Sequence, residues 1–361
     1  MNIVKATRRY ENWLRQHIHV LEEDLRLKHQ HMAESPFMFL RATFYRWVQV
    51  WPEVCPDLAK APRVLAVGDL HVENFGTWRD IEGRLIWGVN DFDEAYPMSY
   101  ANDLVRLAAS AHLAIDQDHL SLHVKGACQA ILEGYTDSLK KGGRPFVLGE
   151  HNQWLRNIAE SELRDPVHFW GKMDYLVPVR TAVPISAIEA LEHLMPEKRL
   201  PCKIAHRIAG LGSLGRQRYV AIADWRGGRI AREAKALLPS ACYWAADGSG
   251  PAEILYNAIV NRAVRCLDPF VQLRGRWIVR RLSPHCSRVE LATLPVQRDE
   301  LKLLYAMGWE TANIHLGSQG AKPEIQRHLR RQPTGWLHAA ARSMAKTVAK
   351  DFRAWKKSGI R

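Results

Sequence analysis

Two apolar runs end in acid-rich turns, and this pairing constrains the chain more than any other feature. The first, RVLAV, leads directly into GDLHVENFG (Gly68 to Gly76); the second, RLIWGV, leads into NDFDE (Asn90 to Glu94). Short apolar runs bounded by turn residues read as buried strands. If the two strands lie side by side, the oxygen donors at their ends, Asp69, Asn74 and Asp91, converge on one site. Such a set suits Mg²⁺, which takes one or two carboxylates together with phosphate oxygens and water. An acid left off the metal can orient or deprotonate a hydroxyl. The plain alternative is a hydrogen-bonded turn. His71, Glu73, Asp93 and Glu94 stand in the same stretches as further ligands or turn formers.

The surroundings of these strands read as helical. Helical patterning covers Tyr10 to Lys28 and resumes in FMFLRATFYRWVQVW after a turn at Ser35-Pro36. It returns in DLVRLAASAHLAI, with Asp103 as N-cap, then over Leu122 to Lys140, Asn152 to Arg164 and Ile185 to Met195. The character changes after Pro201. HRIAGLGSLGRQRYVAIADWRGGRIAREAKAL reads as three short strands joined by glycine turns. A helix over Pro251 to Cys266, two strands in PFVQLRG and RWIVRRLSP, and a long helix, RDELKLLYAMGWETANIHL, follow. The expected organisation is α+β: a helical domain over residues 1–200, a β-rich domain over 201–290, and helices over 291–361.

Composition bounds the partners. Hydrophobic residues make up 47% and charged residues 25%, as in ordinary globular proteins, and no run approaches the roughly 20 apolar residues of a membrane span. The charged start, MNIVKATRRYENWLRQ, lacks an apolar signal core, and six scattered cysteines without a CxxC pair fit reduced thiols, so a cytoplasmic protein is expected. Of the net charge of +13, residues 321–361 supply 11 basic minus 2 acidic, or +9. There Trp336, Ala340, Met344, Val348, Phe352 and Trp355 recur at helical spacing, flanked by Arg342, Lys346, Lys350, Arg353 and Lys357. This is an amphipathic helix whose apolar stripe docks on its own protein or, alternatively, meets nucleic acid or a membrane surface.

GDLHVEN resembles the GDLHxxN catalytic loop of aminoglycoside phosphotransferases and other kinase-like enzymes, and GVNDF resembles their metal-binding IDF segment. The resemblance implies Asp69 as the catalytic aspartate, Asn74 and Asp91 as metal ligands, and Asp103 and His71 as supports of the loop. SPFMFLRAT, GDLHVENFGTW, NDFDEAYPMSYANDLVRLAAS, RIAGLGSLGRQR and REAKAL are together similar to a bacterial family, domain of unknown function 2252. That name carries no activity.

In a kinase the glycine-rich loop and phosphate-gripping lysine precede the catalytic aspartate. Here GLGSLG comes long after it, yet the later half keeps the internal order. A glycine turn (Gly210, Gly212, Ser213, Gly215) is followed by a strand bearing Arg232 and Lys235, an acid near a helix start (Glu253), two strands, a hinge at Arg281 to Pro284, and a helix ending in His315. Joining the chain's end to its beginning restores the kinase order, which implies a circularly permuted, two-lobed protein-kinase-like fold binding ATP and Mg²⁺.

Odd spacing puts Arg232 and Lys235 on opposite strand faces. Apolar Ile230 beside Arg232 suits an adenine ring, whereas Lys235 has Glu233 in that place, so Arg232 paired with Glu253 is expected to hold the phosphates. The expected activity is ATP- and Mg²⁺-dependent phosphoryl transfer to a hydroxyl acceptor that the residues do not identify. The alternatives are a nucleotide-binding pseudokinase, an AMP transferase using an inverted nucleotide, a metallophosphoesterase, and a nucleic-acid-binding protein.

Overall fold

Both acid-tipped runs are strands, but they belong to different sheets. In the computed structural model, which describes residues 1–159, 165–179, 182–284, 286 and 299–360, the first run is β1 (Arg63–Ala66). The motif's own tail, FGTWR, forms β2 (Phe75–Arg79), which turns at residues 80–84 and pairs antiparallel with the second run, β3 (Leu85–Val89). β1 pairs instead with β4 (Tyr96–Ser99), and the short β5 (Phe146–Val147) completes the β2–β3 sheet. The expectation of adjacent strands is thus corrected: a hairpin partner close in sequence took the edge of β3.

The helix Tyr100–Ile115 is buried on nearly every side, as its apolar composition requires. Its cap is Ser99, whose Oγ accepts from Ala101 N at 3.2 Å; Asp103, expected as the cap, sits inside the first turn with its carboxylate directed elsewhere. The helix expected over Tyr10 to Lys28 is two, Ile3–His17 and Glu22–Met32, because the backbone at Leu21 is diverted to donate to Gly215 O at 2.9 Å. Of Asn152 to Arg164, Gln153–Ala159 is helical and residues 160–164 lie outside those described. The helix expected from Pro251 begins only at Tyr256 and runs to Arg262, since Gly248 and Gly250 hold positive φ ahead of it.

The later half builds one antiparallel five-stranded sheet from β6 (Lys203–His206), β7 (Arg218–Trp225), β8 (Gly228–Ala236), β9 (Gln272–Arg274) and β10 (Trp277–Leu282), in the order β6-β7-β8-β10-β9. Alternation sorts its residues. Tyr219, Ala221, Ala234, Ala236, Trp277 and Val279 form an apolar face covered by the helix Ile185–His193. That helix, expected in the first domain, therefore belongs with the sheet. Arg218, Glu233, Lys235 and Arg280 occupy the opposite face, which looks toward the acid-tipped strands.

Helices from the two chain halves close the core. Val124–Lys141 crosses Glu300–His315 at two glycines: a Cβ on Gly134 would lie 1.9 Å from Tyr305 O, and one on Gly308 2.0 Å from Ile131 O. Gly308→Ala is expected to destabilise the protein by about 3 kcal/mol or more in urea denaturation, because backbone must move to admit the methyl group. The terminal helix Trp336–Ser358 buries Trp336, Ala340, Met344, Val348 and Trp355 against the protein and leaves Arg342, Lys346, Lys350, Arg353 and Lys357 exposed. No described helix is long and apolar enough to cross a membrane. All six cysteines are free.

Candidate active site

The loop after β1 is held from behind. Gly68 takes φ +80°, and a Cβ there would lie 2.4 Å from Glu94 O. Asp103, wholly buried, accepts from Val67 N at 2.7 Å and Gly68 N at 3.0 Å. His315, at the end of the helix Glu300–His315, meets the same carboxylate at 3.0 Å and Tyr135 Oη at 2.9 Å. His71 is buried and accepts from Glu73 N at 3.2 Å within the loop.

The loop presents Asp69. Its Oδ1 receives Arg106 Nη2 at 2.5 Å and Nε at 3.0 Å, leaving Oδ2 toward the cavity. Arg106 is wholly buried beneath Phe44 and Trp47, 5.0 and 4.8 Å from their rings. Burial pushes the Asp69 carboxyl above its usual range against the pull of Arg106. Asn74 spends its amide on the junction between loop and strand: Nδ2 donates to Asp69 O at 3.2 Å and Asp91 O at 3.0 Å, and Oδ1 accepts from Asp91 N at 3.0 Å. This side chain adds to the β2–β3 pairing, which sets Phe75 opposite Val89 and lets Asn90 N donate to Asn74 O at 2.9 Å, in joining the two acid turns.

Asp91 and Asp93 share one ammonium. Lys235 Nζ lies 2.9 Å from Asp91 Oδ2 and 2.5 Å from Asp93 Oδ2, and Lys235 is almost wholly buried. Burial alone would raise the Asp91 carboxyl, but Lys235 and a hydrogen bond from Asp93, reinforced by Arg280, hold it well below the usual range. Burial and the Asp91 charge push Asp93 up to about 7. Glu94 faces Arg216 Nη2 at 3.1 Å and accepts from Ala241 N at 2.6 Å.

The glycine turn lies over this group. Leu211–Ser213 form a single 3₁₀ turn, flanked by Gly210 and Gly215 at φ +73° and +91°. A Cβ on Gly212 would stand 3.4 Å from Asp69 Oδ2 and 3.2 Å from Arg41 O, so a methyl group there would touch the aspartate and crowd the Arg41 carbonyl. Lys28 Nζ donates to Gly212 O at 2.9 Å and ties the turn down; burial and then the Arg216 charge push its ammonium down to about 8. Beneath the turn is a cavity of about 90 Å³ bordered by Asp69, Asn74, Asp91, Asp93, Ser213 and Arg216. The Arg41–Glu73 ion pair, at 2.5 Å, borders both this cavity and an outer groove of about 390 Å³ that continues over Phe37, Met38, His119 and Ile208.

Two expected residues lie elsewhere. Arg232 points to the covered face, where Nε donates to Leu194 O at 2.9 Å and the guanidinium lies 5.0 Å from the Phe270 ring; burial, with repulsion from Arg281, pushes it down to about 10. Glu253 is exposed in a bend ahead of the helix. The opposite-face inference was sound, but the face chosen was the wrong one: Arg232 shares its side with the alanines that pack on Ile185–His193, and Lys235 holds the acids. The sequence reading also missed Lys28, Arg41, Arg106 and Arg216. Only Arg106 carried a signal, a lone arginine three residues after Asp103 in an otherwise apolar helix.

The residues around Asp69, Asn74, Asp91 and Asp103 have a counterpart among known sequences. Residues 20–164 match a bacterial family, DUF2252, described as an uncharacterized protein conserved in bacteria. The match to DUF2252 holds the acid cluster with Asp103 and Arg106, while His315, Lys235, the five-stranded sheet and the glycine turn lie outside it. No curated protein and no solved structure matches the chain.

Among the described residues, no group of three or more His, Cys, Asp or Glu is arranged to hold a metal alone. Asp91 and Asn74 offer instead a sparse set of hard oxygens, Asn74 Oδ1 keeping one lone pair beside its bond from Asp91 N, and such a set suits a cation that draws its remaining ligands from phosphate and water.

Proposed function

We propose that the protein is an ATP- and Mg²⁺-dependent transferase acting on a hydroxyl acceptor, with a circularly permuted kinase-like arrangement. The observation that carries this reading is the seating of the Gly210–Gly215 turn directly over Asp69, with Lys235, on β8, the third strand of that sheet in chain order, bonded to Asp91. A kinase site has these parts: a glycine loop over the phosphates, a third-strand lysine, a metal-binding aspartate and an aspartate for the acceptor hydroxyl. The contact of His315 with Asp103, behind the loop, supports the permutation, since it sets the end of the late helix beside the start of the acid loop.

Asp91 and Asn74 would hold Mg²⁺, which when bound neutralises phosphate charge. Asp69 Oδ2 would orient the acceptor hydroxyl and receive its proton, Arg106 fixing the carboxylate. Lys235 would grip phosphate on release from Asp93, whose raised carboxyl is then able to take a proton. The acceptor would enter along the outer groove past Arg41 and Glu73. A cavity of about 90 Å³ is small beside the 300–1,000 Å³ of ordinary ligand pockets, so nucleotide entry requires the glycine turn to lift from Lys28. A nucleotidyl-transfer reading gains support from the arginines deeper on the sheet.

The test is thermal unfolding of the full chain with ATP, with and without Mg²⁺, in wild type and Asp91→Ala. A nucleotide-specific binder gains about 2.7 kcal/mol at a hundredfold excess over its dissociation constant. Wild type is expected to show a magnesium-dependent gain that Asp91→Ala loses; absence of any magnesium-dependent gain in wild type overturns the reading.

A further inference from the structure

The sheet face that carries Lys235 is charged beside the lysine, and its apolar part, Val220, Ile222, Ala231 and Leu282, is already covered by Met173. Two residues before Lys235, roughly 7 Å along β8, Glu233 is buried among three arginines. Arg218 Nη1 bonds its Oε1 at 2.8 Å, Arg207 bonds Oε2, and Arg280 Nε stands 3.9 Å away. One carboxylate thus faces three guanidinium groups, and burial notwithstanding, they hold it well below the usual range.

Two cations that share Tyr256 as a neighbour are also short of acceptors. Arg280 Nε and Nη2 are buried without a hydrogen-bond partner among the described residues, as are Arg265 Nε and Nη1. Arg265 is fixed between the Trp78 and Phe92 rings, at 4.5 and 4.9 Å, and donates from Nη2 to Val89 O at 3.1 Å. Tyr256, edge-on to Phe92 at 5.8 Å, has Arg280, Arg265, Asp91 and Asp93 as charged neighbours. Each unmade bond to a buried donor costs about 1–3 kcal/mol, more for a charged group. A forked guanidinium matches phosphate oxygens in a way no aromatic base can reproduce.

We propose that Arg265 and Arg280 form an anion subsite for the polyphosphate end of a nucleoside triphosphate, which therefore lies in the cleft with its β- and γ-phosphates under the sheet. This rests on the reading of the cleft as a nucleotide site and names what is transferred there. With the tail phosphates beside Arg280, the α-phosphorus faces Asp69. The acceptor oxygen bonds to that phosphorus, the bond from it to the bridging oxygen of the β-phosphate breaks, pyrophosphate leaves onto the arginines, and the hydroxyl proton passes to Asp69. The product is a nucleotidylated acceptor.

The experiment is calorimetric titration of the full chain with sodium tripolyphosphate, adenosine and ATP–Mg²⁺, on wild type, Arg280→Gln and, in case that variant fails to fold, Arg265→Lys, which keeps the charge and loses the fork. Tripolyphosphate is expected to bind wild type and compete with ATP, adenosine to show no binding, and either variant to weaken tripolyphosphate about tenfold or more, the loss of one charge-assisted hydrogen bond. Incubation with ATP labelled at the α- or γ-phosphate is expected to label protein or added acceptor from the α position. Magnesium-dependent ATP binding with no arginine-dependent tripolyphosphate binding, or label only from the γ position, overturns the subsite and leaves the kinase-like reading standing. Binding of neither compound overturns both.

Discussion

Asp69→Asn is expected to keep nucleotide binding and to lose transfer by about 10³-fold, within the range that a positioned acid–base group supplies. Asparagine retains the Oδ1 that accepts from Arg106, but it places an amide donor where Oδ2 faces the cavity, so it can neither align nor deprotonate an acceptor hydroxyl. The measurement is turnover of ATP without added acceptor, water or the protein itself serving in that role. A purely structural counter-ion of Arg106 would behave differently. In Asp69→Asn/Arg106→Met the buried charge is removed together with its partner, so stability should recover while turnover stays lost. Recovery of both would reduce Asp69 to a structural role.

Asp103→Ala carries the largest expected loss of stability, about 3–5 kcal/mol in urea denaturation, the scale for removing one partner from a buried charged network. Besides Asn102 Nδ2, which keeps Gly68 O as an acceptor, three groups would be stranded without water: Val67 N, Gly68 N and the ring of His315. Because the carboxylate links β1, the acid loop and the helix Glu300–His315, the loss should be global rather than confined to the loop. A change below about 1 kcal/mol would mean that those three groups find other partners. Asp103→Asn, with one acceptor oxygen left, is expected to fall between.

Much of the site was legible before any coordinates, for local reasons. VLAVGD and IWGVND announce strand ends because apolar residues stop where acids begin, and DLVRLAAS, apolar but for Asp103, Arg106 and Ser110, announces a helix. The glycine turn was readable as a hairpin-like connection because Gly210 and Gly215 occupy backbone conformations other residues avoid. What was misread depended on neighbours far away in the chain. As a cap Asp103 was misread, because it opens a helix that Ser99 caps; its carboxylate answers two amides of the loop more than thirty positions earlier, a place that only the resemblance had implied. Lys28 sits in a run, EEDLRLKHQHM, that looks like a solvated surface; its burial follows only from the glycine turn arriving above it.

The residues alone determined that Arg232 and Lys235 must face opposite ways, since a strand turns its side chains over at every step and three steps separate them. They did not determine which of the two looks at the acids. That was decided when the helix Ile185–His193 covered the side bearing Ala234 and Ala236, committing the other side to Asp91 and Asp93. Alternation is a property of the backbone at one position, whereas the choice of covered face is a property of everything that packs against it.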